Sequence, residues 1–169
     1  GGIVIWYLLE YQGQEEAQMP ALCRKHLPET VIKNVFVPTY DSMRRYDGAW
    51  HMERKALFPS HVILESEAGA ALEEAVRQCM GLLSARNLLR MNQEETNFLK
   101  SLCGNKHHLE MSKGIIRQGS TRITDGPLIG MEKQICRIDR HKRLARLCTP
   151  QGQNVRYIPA GLEIIEKSI

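Results

Sequence analysis

Five strong bases fall within ten positions of the chain: Arg137, Arg140, Lys142, Arg143 and Arg146, with His141 among them. Side chains of one sign crowded this closely repel one another, and an anion relieves the repulsion, so the natural partner of the stretch is a polyanion. Arginine dominates it. Its planar fork suits two-pronged contacts to phosphate or guanine, and its face stacks on bases. Arg117, Arg122 and Arg156 lie on neighbouring predicted strands or turns and extend the patch, and Lys113 stands at its entrance. Asp139 is placed to pair with a neighbouring arginine and fix its direction. Tyr157 is the only aromatic after residue 110. That argues against a stacking platform for a single strand and for a folded nucleic acid, read through phosphates, groove shape and a few loop contacts.

The elements that must position these residues are short strands. KQICRI (133–138) reads as one, RLARLC (143–148) returns antiparallel to it, and DRHKR (139–143) is the connecting loop. Gly126-Pro127 with Gly130 is a turn signal. With GIIRQG, STRITDGPLIG, NVRYIP and LEIIEK, the segment offers about five strands in fewer than sixty residues, the pattern of a small closed barrel. The β-patterned, turn-rich sequence argues against a helical hairpin here.

The preceding residues have a different character. IVIWYLLE (3–10) is a short apolar run that reads as a buried strand rather than a signal peptide, since it lacks a basic leader and a cleavage site. Gly1 and Gly2 are set aside as a cloning remnant. A helix follows over 11–27, with glutamates at its start, basic residues at its end, and Pro20 leaving its regular start open. IKNVFVPTY and ALFPSHVILES are β-rich, with the polar span Asp41–Arg54 joining them. AGAALEEAVRQCMGLL is an amphipathic helix, a short strand is expected near 83–89, and MNQEETNFLKSLCG is a third helix with Asn92 as N-cap and Gly104 as stop. A small sheet carrying helices follows, an α+β sandwich over residues 3–100, then a linker over 101–111 and the β segment over 112–169.

Charge follows the same division. Residues 1–110 carry twelve Lys/Arg and fourteen Asp/Glu, a net of −2, whereas residues 111–169 carry eleven and five, a net of +6. Two units with different partners are implied. The five cysteines are odd in number with no C-x-x-C spacing, which reads as buried structural thiols in a reducing cytoplasm. No apolar run is long enough to span a membrane. His107-His108 sits in the linker without Cys or Asp at ligand spacing and reads as flexible polar sequence. Cys23 and His26 lack a third orienting group, and no phosphate-cradling glycine loop is present. The chain is read as a non-enzyme without metal or cofactor.

Three motifs in order resemble the NusG family of transcription factors. WYLLEYQGQEE (6–16), VFVPTY (35–40) and KALFPSHVILE (55–65) are similar to the family's N-terminal domain, and GSTRITDGPLIGMEKQICRID (119–139) is similar to its KOW motif. The signature DGPLIGMEKQICRIDRHKRLA is most similar to the specialised LoaP-type paralogues. Ser60 and His61 stand where many members have Gly-Tyr, and Lys133 and Gln134 follow Glu132 where many have a second glycine.

The resemblance implies a NusG-type α/β sandwich followed by a five-stranded, SH3-like KOW β-barrel. It implies a monomeric transcription antitermination and processivity factor of the bacterial cytoplasm. The N-terminal domain would dock on RNA polymerase, on the clamp coiled coil of the largest subunit, and the KOW domain would bind a hairpin in the nascent leader transcript. A general elongation factor whose KOW domain recruits a termination helicase or a ribosomal protein is the alternative, and a ribosome-associated KOW protein a third reading. Tyr7, Phe58 and His61 are the leading residues for the polymerase surface, with Pro59 beside them and Pro38 and Tyr40 behind, while Trp6 and Phe36 belong either to that surface or to the core. A Phe-Pro pair within a strand suits an edge, because proline cannot donate to the ladder. Arg44, Arg45, Arg54 and Lys55 would flank that patch and meet acidic residues or DNA backbone.

Overall fold

The computed structural model describes residues 2–169; Gly1, half of the pair set aside above, lies outside the described residues. Strand β1 (Ile5–Tyr11) is central and almost wholly buried. Alternate side chains enter two different cores, as the two-residue period of a strand requires. Ile5, Tyr7, Leu9 and Tyr11 meet helices α1 (Met19–His26) and α2 (Gly69–Gln78) through Met19, Cys23, Leu72 and Val76. Trp6 and Leu8 point the other way, toward Phe98, Leu99 and Leu102 of helix α3 (Gln93–Cys103). The sheet is completed by β2 (Asn34–Phe36), β5 (His61–Ser66) and β6 (Ala85–Arg90), in the order β2-β5-β1-β6.

Helix α1 begins at Met19, later than the expected start near residue 11, with Glu16–Gln18 forming only a 3-10 turn before it; the C-terminus of α1 and both ends of α3 lie where their sequences put them. Pro20 occupies the first turn of α1, where its missing N–H costs nothing, and Arg24, Lys25 and His26 sit at the C-terminus. The Asn92 side chain accepts from the Glu95 N–H while Glu95 accepts from the Asn92 N–H, a reciprocal cap on α3, and Gly104 ends the helix at φ 63°.

The polar span expected to be a connection is a hairpin. Strands β3 (Thr39–Tyr46) and β4 (Ala49–Ala56) pair along their whole length around Asp47-Gly48, both at positive φ. That dipeptide is the usual choice for a tight turn matching strand twist. The Phe-Pro pair lies in the turn between β4 and β5, not in a strand. Pro59 precedes Ser60 at φ 63°, and the His61 N–H returns to the Phe58 carbonyl.

The stretch expected as flexible polar sequence is ordered. β7 (His108–Leu109) runs parallel to β3. His108 is buried, with one ring nitrogen 2.7 Å from Thr39 Oγ1 and the other 2.8 Å from Asp41 Oδ1. His107 stacks on Phe36, ring centroids 3.6 Å apart.

Strands β8 (Ser112–Arg117), β9 (Ser120–Asp125), β10 (Ile135–Asp139), β11 (Leu144–Cys148) and β12 (Tyr157–Ser168) form the C-terminal sheet, in the order β10-β11-β12-β8-β9. The two runs NVRYIP and LEIIEK merge into β12, which pairs with β11 through its first half and with β8 through its second.

The expected closure into a five-stranded, SH3-like KOW barrel is corrected here: the sheet is open, because its outer strands β9 and β10 do not pair. Closure would require the β9 edge to bond to β10. Instead the Ile123 N–H of β9 donates to the Glu132 carboxylate at 3.2 Å, and the segment between the two strands folds in, burying Leu128 completely. The sheet's apolar face packs against the N-terminal unit. Leu128, Ala145, Leu147, Ile158, Ala160 and Leu162 belong to the same core as Trp6, Phe36 and Phe98.

Candidate nucleic-acid interface

Two sets of charged residues mark the C-terminal sheet, one at the seam with the N-terminal unit and one on the open edge. At the seam, Glu95 is fully buried. Its Oε2 accepts the N–H groups of Gln153 and Val155, while Oε1 completes the cap of α3. Asn92 Nδ2 donates to the Gln151 carbonyl at 3.0 Å, and Asn154 Nδ2 to the Arg90 carbonyl at 2.6 Å. The loop before β12 is thus sewn to α3 and β6 by side chains that satisfy its backbone groups, the buried Val155 N–H among them. On the other flank Asp41 accepts the Met111 N–H at 2.9 Å, and Gly161 approaches the Asp41 carbonyl so closely that a Cβ would lie 2.5 Å from it.

On the open edge, β10 and β11 are antiparallel, with Arg137 opposite Arg146 and Asp139 opposite Leu144. The loop between them carries Arg140, His141 and Lys142, all exposed. Asp139 orders the loop by accepting the Lys142 N–H at 3.1 Å, so it fixes the backbone rather than an arginine side chain. Arg143 takes φ 52° and turns back toward the N-terminal unit, where its guanidinium lies 4.2 Å over the Trp50 ring and 3.8 Å from Glu163. It joins the two units and is the least free of the loop's cations.

The loop divides two grooves. One, of about 400 Å³, lies on the outer face of the sheet, with Arg137, Lys142, Arg146 and Tyr157 around Leu144 and Pro159. The other, of about 390 Å³, runs between the units and combines Arg140, His141 and Arg143 with Arg45 and Trp50 of the β3–β4 hairpin. Arg45 and Trp50 face each other in the hairpin register, with the guanidinium 5.8 Å from the ring. Trp50 was missed by sequence reasoning; the Asp-Gly turn two residues before it was the available signal.

The structure therefore gathers Arg137, Arg140, His141, Lys142 and Arg146 at one edge and leaves other candidates apart. Lys113, Arg117 and Arg122 lie on β8 and β9, at the opposite side of the sheet order. Arg117 stands 3.7 Å from Glu166. Arg156 is exposed just before β12 and bonds to the Gln153 carbonyl.

The expected polymerase-facing residues are also divided. Trp6, Tyr7, Phe36 and Pro38 are buried. The Trp6 indole donates to Glu65 at 2.7 Å. Tyr7 donates to Glu73 at 3.1 Å, and burial with that carboxylate beside it pushes the phenol up to about 12. Phe58 is half-buried, Pro59 exposed, and His61 half-buried with Nδ1 2.8 Å from the Pro59 carbonyl. Arg54 and Lys55 on β4 are exposed nearby in sequence. The accessible part of the patch is the Phe58–His61 turn.

The cysteines, expected to be buried, differ among themselves. Cys23 and Cys103 are buried, and desolvation pushes each thiol up to about 12, whereas Cys136 is exposed. Among the described residues no group of three or more His, Cys, Asp or Glu side chains is arranged to hold a metal ion, and no helix is long and apolar enough to cross a membrane. No protein-family model matches the chain, and no curated protein shows significant similarity to it.

Proposed function

We propose that this chain is a transcription antitermination factor that holds a nascent RNA hairpin on its C-terminal sheet while its N-terminal unit rides RNA polymerase. The observation that carries the reading is the clustering of Arg137, Arg140, Lys142 and Arg146, all exposed, around one loop of the open sheet edge. The one carboxylate within that loop's base, Asp139, is engaged by the Lys142 backbone. Cations held together in excess over the carboxylates beside them, Asp139 in one groove and Glu163 in the other, are a site for a polyanion, and the two grooves beside the loop admit parts of a folded strand.

The mechanism is tethering. RNA held by the sheet raises the effective concentration of the N-terminal unit at the polymerase, where docking opposes pausing and termination. The Phe58–His61 turn supports the docking half of the reading, since it presents Pro59 and an imidazole edge at the surface next to a half-buried phenyl ring. Neither half requires a chemical step. A titration of the full-length chain with a labelled RNA hairpin tests the proposal. Replacing Arg137, Arg140 and Lys142 together by alanine is expected to weaken binding at least tenfold, with Arg143 left in place because it supports the seam. Equal affinity would mean that the sheet edge has another partner, a protein first among them.

A further inference from the structure

The outer-face groove has a feature that phosphate contact alone does not call for. Tyr157 opens β12 opposite Cys148 and is 55% exposed, an aromatic plane left in solvent at the rim of a cationic depression. Arg146, two register positions along and on the same face, holds its guanidinium 5.1 Å from the centre of that ring. Pro159 and Leu144 give the groove an apolar floor, and Arg137 and Lys142 stand at its sides, outnumbering the one carboxylate there, Asp139, which accepts the Lys142 N–H. Its volume of about 400 Å³ falls in the range of roughly 300–1,000 Å³ usual for sites that take small ligands.

We infer that this groove takes one unpaired nucleotide of the bound RNA, its base stacked on Tyr157 and its phosphate held by Arg137, Arg146 and Lys142. The inference rests on the RNA reading above and deepens it: the favoured ligand is a hairpin with a splayed base rather than a fully paired stem. Three lines meet in it. An exposed aromatic beside a guanidinium offers the two kinds of flat surface on which bases stack. The three cations line the same small depression as the ring, with Arg146 against it, rather than a long track, so the subsite accommodates one nucleotide, which agrees with Tyr157 being the sole aromatic of the segment. The groove also adjoins the loop that meets the flanking backbone, so a stem gripped by Arg140 would deliver a bulged base to it without a second docking event.

The test uses the full chain and three RNA probes: a hairpin with one bulged 2-aminopurine nucleotide, the same hairpin with an abasic residue at the bulge, and the fully paired hairpin. The bulged probe is expected to bind about tenfold more tightly than the other two, and its 2-aminopurine fluorescence to be quenched on binding. Tyr157→Leu, which keeps apolar volume without the aromatic plane, should erase both the preference and the quenching, bringing the bulged probe down to the affinity of the paired hairpin. Tyr157→Phe should retain them. Equal affinity for all three probes, with the paired hairpin bound, overturns the base subsite and leaves the RNA interface standing. Failure of every probe to bind overturns both.

Discussion

The seam and the open edge of the C-terminal sheet carry charges of opposite sign and use them in opposite ways. At the seam, the Glu95 carboxylate is fully buried and every contact it makes is to a backbone N–H. On the edge, Arg137, Arg140 and Lys142 are exposed, and among the described residues no carboxylate pairs with them. A buried charge is tolerated because its hydrogen bonds are complete, and it then fixes geometry. A crowd of exposed like charges contributes little to stability and gains its value when an anion arrives. Arg143 stands between the two regimes, in the loop by sequence but stacked on Trp50 in space.

That contrast can be broken most forcefully at Glu95. Glu95→Ala strands the Val155 and Gln153 N–H groups and removes half the cap of α3, so the unfolding free energy should fall by about 3 kcal/mol. Chemical denaturation of the variant checks this; a change below about 0.5 kcal/mol would show that the seam does not depend on the carboxylate. The Arg137, Arg140, Lys142 triple alanine variant should show the reverse profile, with RNA affinity lost and stability within about 0.5 kcal/mol of the parent.

A smaller effect separates the seam's histidines from its carboxylate. Desolvation against Phe36 holds the His107 imidazole below its ordinary value of 6.5. The unfolded chain therefore binds the proton more readily, and stability present above about pH 6.5 is lost as pH falls below it. His107→Asn, which tolerates the same positive φ of 54°, should flatten that acid slope in melting temperature between about pH 7 and pH 5. An unchanged slope would assign the loss to other groups. The smallest effect is expected at Ser60, a non-glycine residue at φ 63° after Pro59. Ser60→Gly should raise stability by about 0.5 kcal/mol in denaturant melts, and a loss would mean that the serine side chain compensates the backbone cost.

Much of the positioning was legible before the coordinates. Asn92 and Gly104 placed the ends of α3 because capping is local chemistry, whereas Pro20 left the start of α1 open, and the β10–loop–β11 unit followed from two β-patterned runs around DRHKR. The β3–β4 hairpin was not read, since its exposed strands lack an apolar face to reveal the period, although Asp47-Gly48 marked its turn. Closure of the C-terminal sheet was misjudged for a different reason: strand count and length do not say which edges pair, and here one Glu132 carboxylate takes the place a strand would have filled. Burial of Trp6 and Tyr7 could not be read from strand periodicity alone, because β1 is covered on both faces, and that of Phe36 on β2 depends on Trp6 and His107, which are distant in sequence. The cationic loop was found from spacing, but the turning of Arg143 toward Trp50 depends on a residue far away in the chain.

The most direct test is the salt dependence of hairpin binding. Each phosphate neutralised should add about 0.7–0.9 to the slope of log affinity against log salt. Relative to the parent, the Arg137, Arg140, Lys142 triple alanine variant should lose about two to three from that slope, and an Arg117, Arg122 double variant, altered at the far side of the sheet, should lose less than one. A slope unchanged by the triple variant, or reduced equally by both, would contradict the assignment of the RNA contact to the open edge.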